Sequence, residues 1–375
     1  MKSLAMASIV IIFGLQALIT PQEAYADYPQ ITADAAILVD AETGHVLYGR
    51  NECHQKDPAS LTKIMTAIVA LEAGRLDDVV TVSRRAARFE RGSIIDIRVG
   101  EKVTLENLIK AALIESANDA TIAIAEHVAG GHYDLFVHWM NLKARELGAV
   151  NTRFRNTHGF THPNHHTCAY DLALITRYAL RIPEFAALVR TKTITMYWYD
   201  SDRKETLRNT NRLLHSDFEG IDGVKTGTTS AAGHCLIASA TRNGRQLIAV
   251  VLHSDRRYYD ARKLLSWGFD IEPVEAAQAG DPLTRLRVRD GTRPDVTVVP
   301  AETVRLHIPE EQLPDLVKEV RLKEDLCAPI AAGDHLGEMI FRIQGRELGR
   351  VALVAGYAVD RRVWYKRLLF SPPLA

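Results

Sequence analysis

At 375 residues the chain is longer than one hydrophobic core ordinarily serves, so two domains are expected. Its 46 basic and 46 acidic residues cancel, and 47% hydrophobic with 25% charged residues is the composition of a globular protein. That balance removes the electrostatic reason to expect nucleic acid as a partner.

The chain begins with Lys2, the apolar run LAMASIVIIFGLQALIT, and then PQEAYADYPQ with Ala24-Tyr25-Ala26. A charged start, a short apolar core and an A-x-A site make residues 1–26 a signal peptide pattern, cleaved after Ala26. The protein is therefore expected to be exported and to start at Asp27. The run is short for a membrane span, and no cysteine stands at the cut to carry a lipid; an uncleaved N-terminal anchor is the alternative. Cys53, Cys168, Cys235 and Cys327 form no C-x-x-C pair, so zinc and redox motifs are unsupported and buried free thiols are expected.

In the first region, residues 27–272, AAILVDAETGHVLYGR reads as two strands joined at Glu42-Thr43-Gly44. The helix that follows, in PASLTKIMTAIVALEAG, is apolar almost all round, which predicts burial on most sides before Gly74 ends it. Helical periodicity returns in LENLIKAALIESANDATIAIAEHVAGG and LFVHWMNLKARELGA. Two strands in GHCLIASATRNGRQLIAVVLHSD flank Asn243-Gly244, a tight-hairpin signal, and YYDARKLLSWGFD reads as a closing helix. Strands, helices, strands, helix describe an α+β domain with helices packed on an antiparallel sheet.

From EPVEAAQAGDP onward the texture changes. This small-residue stretch reads as the boundary, and residues 280–358 read as a β-rich second domain, with LTRLRVRD alternating strictly and GEMIFRIQGRELGRVALVA turning at Gln344-Gly345-Arg346. The tail, residues 359–375, interleaves Arg361, Arg362, Lys366 and Arg367 with Val363, Trp364, Leu368, Leu369 and Phe370. Two fates fit it: contact with an anionic membrane surface, or packing on the second domain.

Chemistry concentrates in three short elements. In S-x-x-K, Ser60 and Lys63 share one helix face, with Cβ atoms about 5 to 6 Å apart. A serine hydroxyl needs a base to become a nucleophile, and a lysine becomes one when burial and nearby positive charge lower its pKa. At a helix start the Ser60 N–H also points outward, where it can stabilise an oxyanion. A serine N-cap beside a solvated lysine is the alternative for this element alone. ESANDA adds Ser116 and Asn118 at a break between helices, and DGVKTGTTS adds Lys225, Thr226 and Gly227 at a strand, Gly227 leaving a ligand free to lie along the edge. S-x-x-K, S-x-N and K-T-G in that order form a specific constellation.

With these motifs, and with NTHGFTHPNHHTCAYDLALI and RKLLSWGF besides, the sequence resembles the low-molecular-mass penicillin-binding proteins, specifically the serine D-alanyl-D-alanine carboxypeptidases. The resemblance implies a β-lactamase/transpeptidase-like antiparallel sheet with a helical cluster, plus a small C-terminal β-rich domain. It implies that Ser60 attacks the carbonyl between the last two D-alanines of a peptidoglycan stem peptide, with Lys63 as base and an acyl-enzyme as intermediate. Ser116, oriented by Lys63 and Lys225, would relay a proton to the leaving amine, and Asn118 would bind the substrate amide. Lys225 and Thr226 would recognise the terminal carboxylate, and the N–H groups of Ser60 and Thr228 would hold the oxyanion. The family's carboxylate-assisting arginine aligns with Arg257, with Arg256 adjacent to it. β-Lactams are expected to acylate Ser60, and no cofactor or metal is needed.

Other readings are weaker. His158, His162, His165 and His166 in HGFTHPNHH include a metal-ligand residue type, but the flanking Thr, Pro and Asn read as turn chemistry, and His158 is placed near the pocket. No G-x-S-x-G elbow supports a Ser-His-Asp hydrolase, and no E-x-x-L-N element supports a class A β-lactamase. A D,D-endopeptidase or a non-catalytic β-lactam or wall sensor shares the acylation motifs and is the standing alternative.

Overall fold

The computed structural model describes residues 28–362 and the short strand Ile11–Phe13. The signal peptide reading and the tail beyond Arg362 lie outside the described residues, that strand excepted. Two compact units divide between Asp270 and Ile271.

The first unit is built on a five-stranded antiparallel sheet. Its strands are β1 (Ala35–Asp40), β2 (Val46–Arg50), β3 (Ile221–Thr229), β4 (Gly233–Arg242) and β5 (Arg245–Leu252), in the order β2-β1-β5-β4-β3. The runs in β1 and β5 are continuously apolar because both faces are covered. Ala35, Ile37 and Val39 join the core that holds the buried helix α1 (Lys63–Ala73). On the other face Gly268, in helix α5 (Arg257–Asp270), lies so close to β1 that a Cβ there would stand 2.5 Å from Leu38 Cδ2. The β4–β5 turn is the tight hairpin that Asn-Gly predicts, with φ of 49° at Asn243 and 80° at Gly244.

Helices α2 (Asn118–Val128), α3 (Tyr133–Glu146) and α4 (Ala169–Ala179) complete the cluster around α1. The hairpin Thr193–Tyr197 with Lys204–Arg208 was not anticipated from the sequence. The architecture is α+β.

The second unit is β-rich. Val317–Leu322, His335–Ile343, Arg346–Ala355, Asp295–Pro300 and Thr284–Arg289 pair antiparallel in that order, and Ile11–Phe13 runs antiparallel to Lys318–Val320 at the outer edge. One correction concerns the small-residue stretch EPVEAAQAGDP, residues 272–282, read as a boundary. Pro273–Ala277 is a strand paired with Val304–His307, and Ala276 is buried; its small residues conceal the alternation that marks a strand. A second concerns the thiols: all four are free, but only Cys168 and Cys235 are buried, whereas Cys53 and Cys327 are exposed.

Candidate active site

Ser60 stands on a single 3-10 turn, Ala59–Thr62, that leads into α1. Ala59 takes a left-handed φ of 48°, a conformation that costs a residue with a side chain about 1–2 kcal/mol. The Thr62 hydroxyl donates to the Ala59 carbonyl at 2.8 Å and closes the turn. His165 Nε2 lies 2.9 Å from that hydroxyl and its Nδ1 accepts the Arg155 N–H at 3.1 Å, so this buried ring is neutral with its proton on Nε2. Burial holds its pKa down at about 3.

Glycine permits two close approaches to this turn. Gly159 has φ of +94°, and a Cβ on it would lie 1.8 Å from the Ala59 carbonyl oxygen. Gly227 faces the same turn: its Cβ would meet Pro58 O, Ala59 Cβ and Ser60 N, each at 3.1 Å. The sequence assigned Gly227 to ligand clearance; its missing side chain also admits the Ser60 turn against β3.

Lys63 is fully buried, and its amine has three partners: Ser60 Oγ at 2.9 Å, Asn118 Oδ1 at 2.7 Å and the His158 carbonyl at 2.9 Å. The Asn118 amide orientation is fixed from its other end, where Nδ2 donates to the Arg91 carbonyl at 2.7 Å. Burial, then the charge of Lys225, pushes the Lys63 pKa well below that of an ordinary amine. A neutral amine has two N–H bonds and one lone pair. Asn118 Oδ1 and the His158 carbonyl accept only, so they take both N–H groups, and the lone pair is left for the Ser60 hydroxyl.

Ser116 sits where the sequence placed the break. A π-helical turn, Ala111–Glu115, ends on Ser116 at a left-handed φ of 68°, and α2 starts at Asn118. The next residue, Asp119, is a buried carboxylate that accepts the Ile95 and Ile97 N–H groups and so anchors the Arg91–Ile97 loop beside the site. Lys63 bonds Asn118 rather than Ser116: among the described residues neither lysine amine hydrogen-bonds the Ser116 hydroxyl, contrary to the expected orientation.

Lys225 is buried, with its amine 3.3 Å from the Thr226 carbonyl, and burial with the neighbouring Arg257 charge lowers its pKa to about 7. Thr226 Oγ1 lies 2.8 Å from Thr210 Oγ1. Arg257 Nη1 donates to the Gly227 carbonyl at 3.0 Å, Thr228 Oγ1 at 2.8 Å and the Cys235 carbonyl at 3.2 Å. Arg256 instead lies over the Tyr259 ring, so geometry favours Arg257.

A cavity of about 520 Å³ opens at Ser60, lined also by Ser116, Asn118, His158, Phe160 and Thr228. Lys225, Thr226, Gly227 and Arg257 are not among its lining residues. Sequence reasoning missed Arg91, Gly92, Ser93, Phe160, Thr161 and Thr229, which also line the wall. Phe89, His158 and Phe160 pack as a tilted and edge-on cluster with centroids 4.7–5.8 Å apart, and the Arg91 guanidinium lies over the Phe160 ring. His158 is held neutral, its pKa down at about 3, chiefly through burial. No group of three His, Cys, Asp or Glu among the described residues is placed to hold a metal.

Residues 22–256 match the Peptidase_S11 family of D-alanyl-D-alanine carboxypeptidases, and residues 272–361 match the C-terminal domain of penicillin-binding protein 5. The chain belongs to the Peptidase_S11 family. It is 36% identical over 363 residues to a D-alanyl-D-alanine carboxypeptidase of Escherichia coli strain K12, covering 91% of this chain and 89% of that one. A D-alanyl-D-alanine carboxypeptidase of Bacillus subtilis strain 168 is 34% identical over 334 residues, 86% of this chain and 85% of its own. Among solved structures, penicillin-binding protein 5 from Haemophilus influenzae superposes with a TM-score of 0.67 at 30% identity, over 89% of this chain and 99% of that one.

Proposed function

We propose that this S11-family chain is an exported serine D,D-carboxypeptidase that removes the terminal D-alanine from peptidoglycan stem pentapeptides through an acyl-enzyme on Ser60. The observation that carries the reading is the Lys63 amine, buried, with its pKa pushed well down, 2.9 Å from Ser60 Oγ and held by Asn118 Oδ1 and the His158 carbonyl; as a free base it turns its lone pair to the Ser60 hydroxyl. Ser60 Oγ attacks the penultimate D-alanine carbonyl as its proton passes to Lys63, and the N–H groups of Ser60 and Thr228 receive the oxyanion. Collapse of the tetrahedral species breaks the peptide bond. The leaving amine takes a proton through Ser116, and water then cleaves the ester, with Lys63 accepting its proton.

Asn118 and the β3 edge hold the extended peptide, while Lys225, Thr226 and Arg257 act on its terminal carboxylate. β-Lactams, which carry a carboxylate beside a reactive amide, acylate the same serine. Enzyme processed after Ala26 works outside the cytoplasmic membrane, with the basic, apolar tail available to a membrane surface.

Two results test this assignment. Acylation needs Lys63 neutral and Lys225 protonated. The rate therefore falls as pH drops through the Lys63 pKa and falls again as pH rises past that of Lys225, about 7 in the free protein. A bound carboxylate raises the Lys225 pKa, so the alkaline limb of kcat lies above that of kcat/KM. Lys225→Arg, whose cation does not titrate in this range, removes the alkaline limb; a wild-type-like alkaline limb in that variant contradicts the role of Lys225. For Arg257→Ala the expected result is a KM roughly tenfold higher on peptides with a free C-terminal carboxylate, from loss of charge-assisted hydrogen bonds. Equal KM for both proteins removes Arg257 from the assignment.

A further inference from the structure

Behind α3, away from the Ser60 cavity and sharing no lining residue with it, a second cleft of about 640 Å³ is strongly basic. Arg145 from α3, Arg153 and Arg155 from the segment after it, and His138 and His166 all line it, against one carboxylate, Asp134. The three guanidiniums are exposed, and none has an ion pair or a side-chain hydrogen bond among the described residues. Some arginines elsewhere are matched to acids, among them Arg203 with Glu101, Arg245 with Asp40, Arg262 with Asp217, and Arg342 and Arg350 with Glu347. On a chain of zero net charge, three unmatched arginines lining one concavity against a single carboxylate give it a local positive potential.

We infer that this cleft is a binding site for a phosphate-bearing anion, a pyrophosphate or phosphodiester group. A single carboxylate is served by one guanidinium fork, whereas three forks around one space suit a group with several anionic oxygens. The volume suits a phosphorylated sugar or headgroup rather than a bare ion. The same chemistry is offered by a lipid headgroup and by a free envelope polymer, and the cleft is placed to hold such a ligand while Ser60 remains open.

The test uses the full chain and the variant Arg153→Ala/Arg155→Ala, titrated calorimetrically with inorganic pyrophosphate and, separately, with vesicles of phosphatidylglycerol. Melting temperature and D-alanine release serve as controls for folding. The expected result is saturable pyrophosphate binding that weakens with salt, exceeds acetate binding, and loses about tenfold or more in affinity in the variant, with D-alanine release unchanged. Vesicle binding that needs the same arginines and is displaced by pyrophosphate assigns the lipid source, and pyrophosphate binding without vesicle binding assigns the free one. Absence of pyrophosphate binding, equal affinity for acetate, or equal affinity in the folded variant overturns the inference.

Discussion

Replacing Lys63 with alanine is expected to lower the rate of Ser60 acylation on the order of 10⁴-fold, the scale on which a nucleophile loses its base. Among the described residues the amine is the one basic group bonded to the Ser60 hydroxyl, and in the proposed mechanism it reacts as a free base because burial and the Lys225 charge disfavour its protonated form. Lys63→Arg is the sharper variant, since a guanidinium fills similar space but keeps its proton at any working pH. It should fail to acylate as well. Folding should survive in Lys63→Ala: the variant leaves Asn118 Oδ1 and the His158 carbonyl without their donor, at about 1–3 kcal/mol each, but no longer has to desolvate an amine. Stopped-flow acylation by a chromogenic β-lactam measures the effect, and Lys63→Arg reacting within tenfold of the parent would assign the proton to another group.

The second large effect concerns a residue with no reactive group. Gly159→Ala places a methyl 1.8 Å from the Ala59 carbonyl oxygen and 2.9 Å from Ser60 N, at a φ of +94° that an alanine resists. The obstructing atoms are backbone, so the Ala59–Ser60 peptide itself has to move. A displacement of about 1 Å at the nucleophile costs on the order of 10²-fold in rate, and the overpacked contact costs roughly 1–3 kcal/mol of stability. Thermal melting and acylation kinetics on the variant report the two separately. A melting point and rate matching the parent would mean that the loop carrying Gly159 does not position Ser60.

Much of this site was legible in the sequence because its chemistry is local. Ser60 and Lys63 meet through one turn of helix, and Ser116 with Asn118 interrupts an apolar run so abruptly that a break is the only economical reading. The Asn243-Gly244 hairpin was readable for the same reason. What stayed hidden depends on contacts between distant segments. The His158 and Arg91 carbonyls, which engage the Lys63 amine and fix Asn118, are backbone atoms and leave no trace in residue type.

Gly227 was noticed for ligand clearance but its packing against the Ser60 turn was not, since spacing does not reveal what packs on a strand. The expected Ser116–lysine bonds gave way to Lys63–Asn118 because Asn118, at the first position of α2, brings a fixed acceptor to the amine. In the second unit, the small residues of Pro273–Ala277 concealed a strand whose partner lies some thirty positions on, at Val304–His307.

The central claim is that Ser60 forms the acyl-enzyme that releases D-alanine. The most direct measurement incubates the protein with a stem pentapeptide and with benzylpenicillin, quantifies free D-alanine, and takes the intact mass, beside Ser60→Ala. The account predicts catalytic D-alanine release and a single penicilloyl adduct, both absent in Ser60→Ala although that variant melts like the parent. D-Alanine release or an adduct persisting in Ser60→Ala would contradict it, as would an adduct on the parent with no turnover of the pentapeptide.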